Sequence, residues 1–279
     1  MADFDILDGL QQAVIADEQK KQANKKKAFE FDKLSLLFKE DYEVKGIKIS
    51  QPTIRDILDV GESNFYQALY PFLYNSTSIR VPLWDAGIDW CKIKDIEVFS
   101  ILTCNIKKNP EIVEQIKPTL DILFKDIDIL TFELFIKQTE KENERLCLYS
   151  PQYDIELYED DYMEIAEYIR EMLDIHPKVE KAKGKTAKRW MIDEDRMNAL
   201  HRDDKNTSTL LPLVSGCINH PGFKYKLEEL KDVGIYQFMD SVHRLQIYES
   251  SSALLNGSYS GFCDLSKVPQ ENFNFMRNI

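Results

Sequence analysis

The sequence predicts an α+β fold: a mixed N-terminal α/β part with short strands, followed by a mainly helical C-terminal part. Three observations carry this. Apolar and polar residues alternate over 42–49, and strand-like stretches recur at 129–136, 146–149 and 153–158. Helical spacing governs the intervening stretches. After His176-Pro177 no alternating stretch returns, and the spacing stays helical almost to the end.

In chain order, residues 1–40 read as a charged, helical extension. Ile6, Leu10 and Val14 share a helical stripe, and Lys20, Lys21, Lys25, Lys26 and Lys27 follow. Tyr42, Val44, Ile47 and Ile49 give two half-strands with Gly46 in the turn between them. Pro52 stops the second. Thr53 with Asp56 three residues later fits a capping box, so a helix starts there with Ile54, Ile57 and Leu58 on its apolar face. Gly61 breaks it, and Phe65, Leu69, Phe72 and Leu73 continue a second helix whose last turn holds Pro71.

Residues 80–83 read as a short extended stretch before a Trp84-Asp85-Ala86-Gly87 turn, and 93–102 as helix. After the strands, Met163, Ala166, Ile169 and Met172 place a helix over 160–173. Lys178, Lys181, Lys183, Lys185, Lys188 and Arg189 then crowd one short span, which reads as a solvated basic linker. Helices are expected over 190–201, 210–218 and 235–255, a turn at 257–261 and a short terminal helix at 269–276. The division is therefore 1–40 extension, 41–175 α+β domain, 176–189 basic linker and 190–279 helical domain. No internal repeat is visible.

Composition narrows function by exclusion. A net charge of −12 disfavours nucleic acid unless a local basic patch overrides it. No apolar run reaches the roughly 18 residues of a membrane span. The acidic start Met1-Ala2-Asp3 lacks a secretion signal, so synthesis and residence in the cytoplasm are expected. Cys91, Cys104, Cys147, Cys217 and Cys263 are odd in number and widely spaced, which suits free thiols in a reducing compartment.

Motifs for chemistry are thin. Gly184-Lys185-Thr186 resembles the end of a phosphate-binding loop, but Val179 stands where the upstream glycine belongs. Cys217 and His220 have half the spacing of a zinc site and no second pair. Acid clusters such as Glu159-Asp160-Asp161 suit a helix N-terminus better than a shared cation. No nucleophile elbow is present. The expectation is a non-enzyme with no catalytic, cofactor-binding or metal residues. Partner binding would fall to large apolar side chains: Trp84 and Trp90 in the early motif, and Phe238, Met239, Val242 and Leu245 on the late helix. Each of these types is more often core.

Two stretches go further. Ile49-Ser50-Gln51-Pro52-Thr53-Ile54-Arg55-Asp56-Ile57-Leu58 and Leu83-Trp84-Asp85-Ala86-Gly87-Ile88-Asp89-Trp90 form one group. The run from Tyr236 to Tyr248, Gly257-Ser258-Tyr259-Ser260-Gly261 and Phe273-Asn274-Phe275-Met276 form the other. These strings resemble proteins from the tail gene cluster of tailed phages and prophages of Gram-positive bacteria, of the tail assembly chaperone type. The resemblance runs from about Tyr42 to the C-terminus and leaves 1–40 outside it. It implies binding to the tape measure protein, whose apolar helical stripes are exposed before the tube forms, and to the tail tube protein. It implies action in the bacterial host cytoplasm during virion assembly; the charge and the lack of a long apolar run add the expectation of no nucleic acid or membrane partner, and a homo-oligomer stays open. A structural subunit of the tail, neck or baseplate, resident in the virion, is the alternative.

Overall fold

The computed structural model describes residues 29–138, 144–201, 208–261, 266 and 268–277. The chain divides into two compact units, Met1–Asp32 and Lys33–Ile279. Of the first, the described part is 29–32, where the Phe29 and Phe31 rings stack 6.3 Å apart. The lysine run and the stripe expected over residues 6–14 lie outside the described residues.

The second unit opens with a short helix, α1 (Lys33–Leu37), and the hairpin β1 (Tyr42–Val44) and β2 (Ile47–Ile49). Tyr42 pairs with Ile49 and Val44 with Ile47. The two-residue turn puts both Lys45 (φ 52°) and Gly46 (φ 83°) in the left-handed region, the turn whose twist matches a hairpin. Ile47 and Ile49 are buried beneath it.

α2 (Ile54–Val60) starts on the expected capping box: the Thr53 side chain takes the Asp56 N–H, and Asp56 takes the Thr53 N–H. The next free N–H groups of its first turn are met from far along the chain. Ile54 N–H donates to the Val233 carbonyl at 3.0 Å and Arg55 N–H to that of Lys231 at 2.8 Å. In return Ile235 N–H reaches the Pro52 carbonyl at 2.9 Å. Gly234 sits in this junction, where a β-carbon would fall 2.5 Å from Lys39 Cδ, too close for any larger residue without displacement of that stem.

Gly61, at φ 85°, ends α2 and begins α3 (Glu62–Leu73). α4 (Arg80–Asp85), α5 (Asp95–Lys107) and α6 (Pro110–Phe124) follow. Residues 80–83 are thus helical rather than extended. Proline in the first turn suits a helix start, since its fixed φ and missing donor cost nothing there. α6 stands where no element is expected from the sequence, although Ile116, Leu120 and Leu123 keep helical spacing; Pro118 in its interior is the residue that speaks against a helix. Asn109 caps it by accepting the Glu111 N–H, and Pro110 takes the first position.

A 3-10 turn (Ile129–Thr131) leads to an antiparallel sheet of β3 (Glu133–Lys137), β4 (Arg145–Ser150) and β5 (Ile155–Tyr158), with β4 central. β5 runs directly into α7 (Glu159–Leu173), whose first turn carries Glu159, Asp160 and Asp161, where the helix dipole favours acids. The core forms where α3, α5, α6 and α7 meet. Phe72 lies 5.2 Å from Phe99 and 5.5 Å from Phe124, and Phe99 lies 5.1 Å from Tyr162, centroid to centroid.

The C-terminal part is helical as expected: α8 (Lys185–Leu200), α9 (Leu210–Ile218), the single turn α10 (Leu227–Leu230) and α11 (Ile235–Tyr259). α11 continues through Gly257, where a turn was expected, and the terminal helix is a 3-10 turn, Gln270–Phe273. The span 176–189 keeps most of its basic side chains exposed, as expected, but is not a free linker. Its backbone is bound to Asn75, Thr77 and Cys91, it ends inside α8, and Lys33–Ile279 forms one compact unit across it. No described helix is long and apolar enough to cross a membrane.

Candidate functional site

A groove of about 630 Å³ opens where α3, the end of α7, the start of α9 and α11 converge. Its floor is set by α3. Phe65, Leu69 and Phe72 turn into the core, so the neighbouring face presents Tyr66, Tyr70 and Tyr74, four residues apart and therefore stacked along one side. Tyr70 and Tyr74 lie ring on ring at 4.8 Å. Tyr70 remains 40% exposed, available to a binding partner without unfolding. Leu173, Leu213 and Met239 supply the facing wall.

The charged side chains on that wall are Glu62 and Asp174, both acids. Asp174 ends α7 in the left-handed conformation and meets His243 at 3.1 Å. Glu62 does structural work. Its carboxylate accepts the Thr209 N–H at 2.7 Å, the Leu210 N–H at 3.0 Å, the Thr209 hydroxyl at 2.6 Å and the Ser208 hydroxyl. Thr209 at the N-cap of α9 makes no side-chain cap, and the Ser208 hydroxyl accepts the Leu211 N–H at 2.8 Å, so a carboxylate from another helix shares the capping and matches the positive end of the helix dipole. Burial pushes the Glu62 carboxyl up, but these hydrogen bonds outweigh it and hold it below its ordinary value.

A folded-state value below the unfolded one means Glu62 stabilises fully above the ordinary 4.5 and loses that contribution as pH falls through its lower folded value. Glu62→Ala is expected to cost about 1–2 kcal/mol, the range of a lost helix cap. Amide exchange in 210–218 should speed up at pH 7 in the variant. Acidification should loosen the same helix in the parent chain. Unchanged exchange in the variant would show that α9 needs no cap from α3.

The six expected partner residues are dispersed. Trp90, Phe238 and Val242 are buried at 0%, 0% and 6% exposure and belong to the core, so they are not a binding surface. Trp84 is half-buried and packs against the cluster of Leu83, Trp90 and Ile192. Met239 lines the tyrosine groove. Leu245 lines a separate cavity of about 710 Å³ with Phe223, Tyr248 and Phe275. The burial follows from α11 packing its 235, 238 and 242 stripe against α7 and α1, which leaves the adjacent residue 239 at the rim. The tyrosines of α3 escaped sequence reading, although their spacing of four was a visible signal beside the stronger apolar stripe.

Cys217 is buried, and its neighbour His220 is engaged elsewhere: Nδ1 accepts the Gly222 N–H at 3.0 Å and Nε2 lies 3.2 Å from Glu249. Among the described residues, no three His, Cys, Asp or Glu side chains converge as a metal site requires. No family model, curated protein or solved structure matches the chain.

Proposed function

We propose that this chain is a non-enzymatic phage tail assembly factor of chaperone type, which holds a helical segment of the tape measure protein during tail morphogenesis in the host cytoplasm. The observation that carries the reading is the tyrosine groove. An aromatic face of Tyr66, Tyr70 and Tyr74 with Met239 and Leu213 opposite offers large, rigid contact area for an apolar stripe. At its rim Asp174, which faces His243 at 3.1 Å, favours basic residues beside that stripe. The resemblance of the two motif groups to tail gene cluster proteins supplies the identity of the partner. The tail tube protein is the second partner that this resemblance implies.

Tyr70→Glu tests it. The side chain is part-exposed, so folding should be retained, while affinity for helical tape measure segments should fall at least about tenfold, as for a central aromatic anchor. Isothermal titration of both proteins gives the answer; equal affinities remove the groove from the account. Quantitative mass spectrometry of purified particles beside the infected lysate separates the rival reading. A chaperone is abundant in lysate and missing from particles, whereas a tail, neck or baseplate subunit is present at a fixed multiple of the tail symmetry.

A further inference from the structure

Residues 178–183 carry a backbone pattern that neither the groove nor the core explains. The Lys178 carbonyl accepts from Asn75 Nδ2 at 3.0 Å. Thr77 Oγ1 accepts the Glu180 N–H at 3.1 Å and donates to the Glu180 carbonyl at 3.3 Å. Cys91 Sγ does the same for Ala182, at 3.4 and 3.7 Å. Each of these two side chains thus makes the pair of bonds that a residue on a neighbouring antiparallel strand would make. Side chains follow the same alternation: Glu180 pairs with Arg80 and Ala182 packs on the Trp90 cluster. Val179 is 75% exposed, and Lys181 and Lys183 are exposed as well.

This leaves one edge closed and the other open. No described residue hydrogen-bonds the N–H or C=O groups of Val179, Lys181 or Lys183. Such a row is a template for another strand. Around it lie exposed Lys185, Arg189, which also faces Asp193 at 3.7 Å, and Trp190 at 65% exposure. No ion pair with a described residue engages Lys181, Lys183 or Lys185. On a molecule of net charge −12, this strip is a local reversal of sign.

We propose that 178–183 is a docking edge that receives an extended, acidic segment of a partner protein by strand addition. Main-chain bonds at 179, 181 and 183 give the register. Carboxylates of the incoming segment meet Lys181, Lys183, Lys185 and Arg189, and an apolar residue rests against Val179 or Trp190. Charge complementarity selects an acidic partner. A nucleic acid fits less well, because the strip offers one exposed tryptophan rather than a series of stacking faces and the overall field repels polyanions. The inference does not depend on the tyrosine groove.

The test uses the full chain and a short fluorescein-labelled peptide alternating glutamate and valine, read by fluorescence anisotropy, with its lysine counterpart and oligothymidine as comparisons. The acidic peptide should bind best and slow amide exchange at Val179, Lys181 and Lys183. The double variant Lys181→Glu, Lys183→Glu should weaken it at least about tenfold with an unchanged melting curve, since both side chains are exposed. Binding without protection of those three amides would overturn strand addition. Tighter binding of oligothymidine, or a dimer of the chain abolished by the same double variant without peptide binding, would overturn the choice of partner.

Discussion

Arg170→Ala is expected to lower the stability of the Lys33–Ile279 unit by about 3–5 kcal/mol, the cost of removing one member of a buried ionic cluster. The Arg170 side chain is 2% exposed. Its Nε donates to the Phe72 carbonyl at 2.9 Å and Nη1 to Glu167 at 2.6 Å, while Nη2 stands 4.0 Å from Asp95. Phe72 lies in the last turn of α3, where carbonyls have no helical donor, and the neighbouring Pro71 carbonyl is taken by the Tyr162 hydroxyl at 3.0 Å. Two side chains of α7 therefore cap α3 from outside. Truncation leaves the Phe72 carbonyl without its donor and removes the guanidinium that stands between Glu167 and Asp95. Arg170→Met restores most of the volume but neither the donor nor the charge, so it should also be destabilising, by less. Urea unfolding checks both, since a loss of this size shifts the midpoint by about 1–5 M at the usual slopes. A shift equivalent to under about 1 kcal/mol for Arg170→Ala would mean that water replaces the guanidinium, and that α3 needs no cap from α7.

The two helices joined by this arginine show how far sequence reading reaches. Local chemistry was legible wherever the deciding partner lies within a few residues. The Lys45-Gly46 hairpin, the Thr53–Asp56 capping box and the Gly61 break all sit as their spacing demands. Alternation placed β4 and β5, and helical spacing placed α7 and α9. What stayed hidden is long-range. Nothing in the 176–189 composition tells that Thr77 and Cys91, about 100 residues earlier, hold its backbone. Glu62 reads as an ordinary acid at a helix start, not as the cap of α9. The same holds for the groove. The tyrosines of α3 form a wall because α7, α9 and Met239 close the other side, and that closure is a property of packing rather than of spacing. The buried fates of Trp90, Phe238 and Val242 agree with the general tendency of large apolar side chains towards the core.

Trp90→Ala should be about as costly as Arg170→Ala, at about 3–5 kcal/mol, but by a different route. The indole is fully buried against Leu83 of α4 and Ile192 of α8, with the Arg80 guanidinium 5.5 Å from its ring. Arg80 in turn grips Asp195 of α8 and Glu180. Ile192 is the buried residue of α8, and this small cluster, the Arg80–Asp195 pair, the Lys188–Asp89 pair at 2.7 Å and the Arg196–Asp85 pair fasten that helix. Loss of the ring opens a cavity and removes the face on which Arg80 rests, so α8 should loosen ahead of the main core. The indole N–H has no hydrogen-bond partner among the described residues, so Trp90→Phe forfeits volume without breaking a bond to them and sheds an unsatisfied donor. It should cost only about 1–2 kcal/mol. Amide exchange over 185–200 separates the possibilities. Fast exchange there in Trp90→Ala, with the 159–173 helix still protected, marks α8 as a separately releasable element whose ion pairs do not hold it without the aromatic ring. Equal acceleration in both helices would tie the Trp90 cluster to the central core and make the unfolding of Lys33–Ile279 a single step.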